Sequence, residues 1–277
     1  MALSLKTVPA ARGAHWVRAA FALFGRRPLA FSGLFLAFLF AAMVSMFVPL
    51  VGGVLQMMML PLLSLGFMVA ARSALQGGPV QPGQFIEPLA TDPARRRALL
   101  TLCAAYGLSA VALLWFCNWL ADGQLAELQA LLASGRAEPE ELDALAASRG
   151  VFVGTVALIV GATLLSVPFW HAPALVHWGH QGAAQALFSS TVAVWRAKGA
   201  FLVYALSWTG LIVGVGVASA LLLGLLGMPQ VAGVIALPMG LIFSTVFYVS
   251  LVFSFRDSFG EADEAEDLPT APPSTGA

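Results

Sequence analysis

Three of the four histidines, His171, His177 and His180, stand close together in the chain. His177 and His180 are three apart, a spacing that puts both on one face of a helix. Imidazoles grouped in this way bind transition metals or respond to pH. A metal site needs more ligands, however, and no cysteine or carboxylate lies beside them. Trp170 and Trp178 do, and Trp with His at a membrane boundary is ordinary interfacial anchoring. The three histidines are thus weak metal candidates, and no metal is expected. A second polar group comprises Asp122, Glu127, Glu138, Glu140, Glu141 and Asp143, with no His or Cys among them. Residues 138–143 read as a solvated helix start, where acids complement the dipole. A Gly-rich phosphate loop, a Gly-x-Ser-x-Gly turn and an HExxH pair are all missing. The expectation is therefore a chain that is not an enzyme and carries no cofactor.

The elements around these residues belong to a membrane protein. The chain is 59% hydrophobic and only 10% charged, whereas a soluble domain carries about a quarter charged residues. A surface so poor in charge cannot hold water, which excludes a soluble globule and leaves nothing to bind nucleic acid. Cys103 and Cys117 fall in one apolar segment. Fourteen residues of helix separate them by about 21 Å, so they cannot pair and read as small packing residues. The N-terminus is not a secretory signal, because its basic region is long and holds Trp16 and Phe21, with no small-residue cleavage pattern after the first apolar run.

Six segments are long and apolar enough to span about 30 Å of hydrocarbon: roughly 29–47, 51–71, 98–120, 151–170, 200–226 and 231–255. Asp92 followed by Pro93 predicts an N-cap with proline in the first turn. Residues 121–150 predict a small helical hairpin, with Leu125, Leu128, Leu131 and Leu132 at helical spacing, a break at Ser134-Gly135 and a restart at Pro139. The membrane domain covers residues 1–258, and the acidic, Pro-rich tail 259–277 lacks apolar periodicity and is expected to be disordered. The fold class expected is an all-α bundle of six transmembrane helices, with two cytosolic amphipathic helices in the membrane interface.

The first amphipathic helix, over 8–27, puts Arg12, His15, Arg18 and Arg26 on one side and Trp16, Val17, Ala20, Phe21, Leu23 and Phe24 on the other. The second, over 181–198, groups Gln181, Gln185, Ser189 and Arg196 against Leu187, Val194 and Trp195. With the N-terminus in the cytosol, twelve of the fourteen basic residues become cytosolic and only Arg136 and Arg149 lie outside. Such an imbalance predicts both termini inside a bacterial inner membrane. Arg26, Arg27, Arg95, Arg96, Arg97, Trp170, Arg196 and Lys198 then form a cytosolic rim, the candidate contact for lipid headgroups or a partner. Each Lys or Arg near an anionic leaflet contributes about 1 kcal/mol.

The spans themselves hold no Asp, Glu, Lys, Arg or His. Charges at membrane depth are costly and persist for function, so a proton-coupled pump or a carrier of charged substrates is disfavoured. Gly210, Gly214, Gly216, Ala220 and Gly224 give span five a run of small residues suited to close helix packing, within the chain or in a homodimer. Pro61 and Pro238 predict kinks in spans two and six. Gly53, Val54, Ser64, Phe67 and Val69 match Gly233, Val234, Ser244, Phe247 and Val249 at a constant offset. That offset describes a weak parallel repeat of an amphipathic helix plus two spans.

Trp170-His171-Ala172-Pro173-Ala174-Leu175-Val176, then Ala186, Ser189 and Ala193, then Phe201 and Tyr204, resembles a family of proteobacterial inner-membrane proteins with a W-x-A-P-A-L-V segment. More distantly, the layout is similar to YciC-type proteins and to the membrane domain attached to some glycerophosphodiester phosphodiesterases. Arg196-Ala197-Lys198 depart from the Asn common at that junction in the wider group. The resemblance implies location and architecture, and no activity. Two functions are weighed on this basis. One is a non-catalytic membrane component that scaffolds or regulates partners, either a second copy or other membrane proteins. The other is a carrier or channel for lipid or another apolar compound, which needs a cavity among spans two and six.

Overall fold

A computed structural model gives an all-helical chain and describes residues 4–49, 51–90, 92–135, 138–228 and 231–260. The tail expected to be disordered lies outside the described residues beyond position 260. Six stretches are long and apolar enough to cross a membrane: Pro28–Ser45, Gly52–Leu75, Pro93–Leu120, Arg149–His177, Lys198–Leu225 and Gly233–Ser258. They match the six expected spans.

The first span is helix α2 (Pro28–Ser45). The second is α3 (Gly52–Met58) followed by α4 (Leu60–Leu75), with Pro61 in the first turn of α4. The third is α5 (Pro93–Leu120), capped by Asp92, whose carboxylate accepts from the Ala94 N–H. Next comes the hairpin of α6 (Gln124–Ser134) and α7 (Pro139–Ala146). Gly135, at φ +60°, ends α6 in the left-handed region that glycine adopts freely. Asn118, at the end of α5, accepts from the Ala126 N–H and so ties the hairpin to the span.

The fourth span is α8 (Arg149–Phe169) with the short α9 (Ala172–His177). Pro168 sits inside α8 and the chain turns sharply at Trp170–His171. Ser190 repairs this break. Its hydroxyl donates to the Val167 carbonyl and accepts the His171 N–H at 3.0 Å. Ser190 belongs to α10 (Ala183–Arg196), which turns Ala186, Ser190 and Ala193 inward and leaves Phe188 and Trp195 exposed. The last two spans are α11 (Lys198–Leu225) and α12 (Ala232–Ser258).

Helix α1 (Arg12–Arg26) departs from expectation. Its two faces divide as the sequence predicts, but the apolar one packs on protein. Trp16, Val17, Ala20 and Leu23 are buried between α11 and α12, which touch α1 far more than each other. Phe21 bridges the two, 6.0 Å from the Trp208 ring and 6.5 Å from Phe243. An amphipathic face needs an apolar cover, and here aromatic side chains supply it in place of acyl chains. The Lys6 N–H also donates to the Ser258 carbonyl at 3.0 Å, so both ends of the membrane domain meet at one end of the bundle. That end is called the terminal end below.

Rings fill the interior. Phe67 lies 5.6 Å from Tyr248 and 6.1 Å from Phe35, where α4 meets α12 and α2. Pro61 is buried and Pro238 exposed, so the two prolines do not face a common cleft. The small residues of α11 behave differently from expectation. A Cβ added at Gly210, Gly214, Gly216 or Gly224 would meet nothing within 4 Å, so within this chain the stripe packs against no helix. Close approach falls elsewhere, at Gly13 against α11 and at Gly107 against Met58.

Candidate functional site

Charged side chains gather at the terminal end because the spans alternate in direction and their polar turns stack there. Asp257, the penultimate residue of α12, binds α1 through three bonds. It accepts from Arg12 Nε at 2.7 Å, Arg12 Nη2 at 2.8 Å and Trp16 Nε1 at 2.6 Å. The hydrogen bond to Asp257 raises the Arg12 guanidinium above its ordinary value, outweighing the burial that would lower it. This arrangement is a clamp, with all its groups committed to one another.

A more open arrangement lies beside it. The last turn of α4 carries Arg72 and Ser73, Gln76 caps it, and the following loop folds back over them. Ser73 Oγ donates to the Pro79 carbonyl at 2.7 Å. Gln84 is buried, donates to the same carbonyl at 3.0 Å, and accepts the Gln81 N–H at 3.1 Å. Two short 3-10 turns, Pro82–Phe85 and Glu87–Leu89, complete the loop. Phe85 anchors it in the bundle, its ring so close to Gly66 that no Cβ would fit there. The end of α9 closes the other side with His177 and Trp178. Between these walls is a polar vestibule of about 300 Å³, lined in part by Arg72, Gln76, Gln81, Gln84, Glu87 and His177.

The vestibule lining pairs one cation, Arg72, with one carboxylate, Glu87, and Arg95 lies near enough to act on His177. The Arg72 guanidinium sits 5.2 Å over the Trp178 ring, a cation–π contact that holds a cation in a fixed place. Arg72, Arg95 and His180 are the charged or titratable groups whose fields reach His177. His177 Nδ1, Arg95 Nε and Gln181 Oε1 are buried without a hydrogen-bond partner. Among the described residues, Glu87 is the only acid lining the vestibule, and it is exposed.

The predicted site residues distribute as follows. Arg26, Arg96, Arg97, Arg196 and Lys198 are exposed at the terminal end, with Lys198 lying 5.5 Å over the Trp195 ring. Arg27 is drawn in by its bonds to the Gly77 and Gly78 carbonyls and so holds the end of α4. Arg95 is half-buried beside the vestibule. Trp170 does not join the rim. The break after α8 turns it inward, where it donates to Ser254 Oγ at 3.2 Å and lies edge-on to Phe201, Tyr204 and Phe247.

The histidines separate as well. His171 is fully buried among Phe201, Phe255 and Phe259. His177 lines the vestibule and His180 is exposed. Among the described residues, no three His, Cys, Asp or Glu come together as a metal site. Sequence reasoning missed Gln81, Gln84 and Glu87 and used Arg72 only for orientation. The available signal was the Pro- and Gly-rich stretch after Arg72, whose glutamines sit among turn-forming residues.

Six apolar helices, a ring-filled interior and polar groups gathered at one end define a polytopic membrane protein. A protein of Burkholderia thailandensis, named as a probable inner membrane protein, is 34% identical over 263 residues, which cover 93% of this chain and 94% of the relative. The chain belongs to the family of that inner membrane protein. No protein-family model and no solved structure matches it.

Proposed function

We propose that the chain is a non-catalytic component of the bacterial inner membrane that works through its terminal end. The observation that carries this reading is the placement of charge. Exposed Arg26, Arg96, Arg97, Arg196 and Lys198 surround one end of a bundle whose interior is packed with rings. The excess of basic residues there supports orienting that end, with both termini, toward the cytosol. The distant similarity to YciC-type proteins and to the membrane domain attached to some glycerophosphodiester phosphodiesterases fits the same layout of amphipathic helices and span pairs. In this reading the rim meets anionic headgroups and presents the protein to membrane partners. The outer part of α11, with Ile212, Val213, Val217 and Leu221 exposed and its glycines uncovered, supports a second copy or another membrane protein as such a partner. Transport of an apolar compound is favoured less, because rings occupy the junction of spans two and six.

Neutralising the rim tests the reading. With Arg26, Arg96, Arg97, Arg196 and Lys198 all changed to Gln, anionic lipid retained by the purified protein should fall several-fold in native mass spectrometry. About 1 kcal/mol per charge sets that scale. Retention equal to that of the unaltered chain would count against the rim as a lipid contact.

A further inference from the structure

We propose that the vestibule beneath Trp178 is a binding site for a phosphate ester bearing a primary amine, the chemistry of a phosphoethanolamine headgroup. It rests on the reading above only in placing the site at the headgroup layer.

The walls carry the inference. Arg72 supplies a cation from one wall and His177 a ring nitrogen from the other, and the Gln76 and Gln81 amides line the same space. An arginine lying over a ring is held in orientation, and guanidinium groups are the side chains best shaped for phosphate oxygens. The Gln84 N–H goes to the Gln81 backbone carbonyl at 3.1 Å, and the Gln81 side chain, which lines the vestibule, carries an amide that can donate. His177 Nδ1, in the lining, and Arg95 Nε, whose guanidinium is near enough to act on His177, are buried and unpartnered, and unmet polar groups of this kind in a native fold call for an explanation. A bound anion supplies it electrostatically, because it lowers the cost of holding the Arg72 and Arg95 charges close to one another.

Glu87 gives the site its selectivity. A carboxylate at the vestibule opposes a simple anion, yet it complements an ammonium carried a short distance from a phosphate. The pairing therefore favours a zwitterion over a plain phosphate or a phosphoglycerol. The volume, about 300 Å³, is at the small end of ligand pockets and suits a headgroup with the acyl chains left outside. The loop that forms the wall is held by Ser73, Gln84 and Phe85, so the site is preformed and little ordering opposes binding.

The experiment is calorimetric titration of the purified full chain in neutral detergent. The ligands are phosphoethanolamine, glycerol phosphate, inorganic phosphate and short-chain phosphatidylethanolamine. Phosphoethanolamine should bind at least about tenfold more tightly than glycerol phosphate or inorganic phosphate. Arg72→Gln should weaken every phosphate ligand about tenfold or more. Glu87→Gln should remove the preference for the amine, weakening phosphoethanolamine and strengthening glycerol phosphate. Glu87 is exposed, so that variant should fold even if Arg72→Gln does not. Binding of the short-chain lipid alone would assign the site to lipid, and binding of the soluble compounds would extend it to free phosphate esters. No binding of any ligand, equal binding of amine and glycerol esters, or an amine preference that survives Glu87→Gln would overturn the proposal. The soluble ligands need no bilayer and the rim variant spares Arg72 and Glu87, so failure of one reading is distinct from failure of the other.

Discussion

Trp16→Ala should release helix α1 from the bundle and cost about 3–5 kcal/mol, the range for truncating a fully buried Trp or Phe. Trp16 has no exposed surface and lies 5.3 Å from Phe201 and 5.8 Å from Tyr204. Its indole N–H is also one of the donors to Asp257, so truncation removes apolar contact and leaves a carboxylate oxygen short of a partner. Trp16→Phe separates these effects. It keeps most of the ring area and loses the N–H, and a hydrogen bond to a charged group is worth about 1.5–3 kcal/mol. The expected order of stability is wild type, Trp16→Phe, Trp16→Ala. Heat survival of the monodisperse protein in detergent measures it. Trypsin cleavage after Arg18, which is exposed but helical in the docked state, should accelerate in the same order. If Trp16→Ala melted within a degree of wild type and resisted trypsin equally, α1 would be a surface helix after all.

Gly13→Ala should act in the same direction by a different cause. A Cβ at this position would lie 2.0 Å from the Ala200 carbonyl oxygen and 2.6 Å from the Tyr204 nitrogen. Both are backbone atoms within α11, and neither can rotate aside. Helix α1 must therefore lift away, which weakens the Asp257 clamp and the Trp16 packing together. Overpacking of this kind costs about 1–3 kcal/mol. The control is Gly210→Ala, where the added methyl meets nothing within 4 Å. There the change should be neutral or stabilise by up to about 1 kcal/mol through helix propensity. Opposite signs from the same chemical change would locate the close approach at α1 and α11. Equal effects would remove it.

These two sites also show how far the sequence was legible. The spans were readable because length and apolar composition suffice to mark them, and the Asp92 cap and the 124–146 hairpin because their signals are local. The faces of α1 were readable too, from its periodicity. What covers the apolar face was not, since lipid and protein demand the same pattern. The decisive partner, Asp257, lies 245 positions from Arg12. Glycine spacing in α11 did not lead to the close approaches within the chain, for a related reason. A regular stripe in α11 reads as packing, yet the glycines that matter are isolated ones such as Gly13 and Gly107, whose neighbours come from distant helices.

The vestibule was hidden because its residues come from two separate stretches. Arg72 to Glu87 form one wall and His177 with Trp178 the other. Trp178 beside His177 looked like a boundary anchor, and only the fold brings Arg72 onto its ring. Trp170, in the motif that carries the family resemblance, is turned inward and half-buried for an equally tertiary reason. The α8 break that Ser190 stitches turns it into the aromatic core. The motif therefore works here as an architectural joint between spans four and five.

Orientation joins these observations to function, since the rim and the vestibule meet cytosolic lipid and partners only if the terminal end faces inward. A reporter fused directly after Ser258, with one arm active only in the cytosol and one only outside the inner membrane, tests this most directly. Activity confined to the cytosolic reporter is the predicted result. Activity confined to the outer reporter would place the basic rim on the wrong side of the membrane and contradict the account.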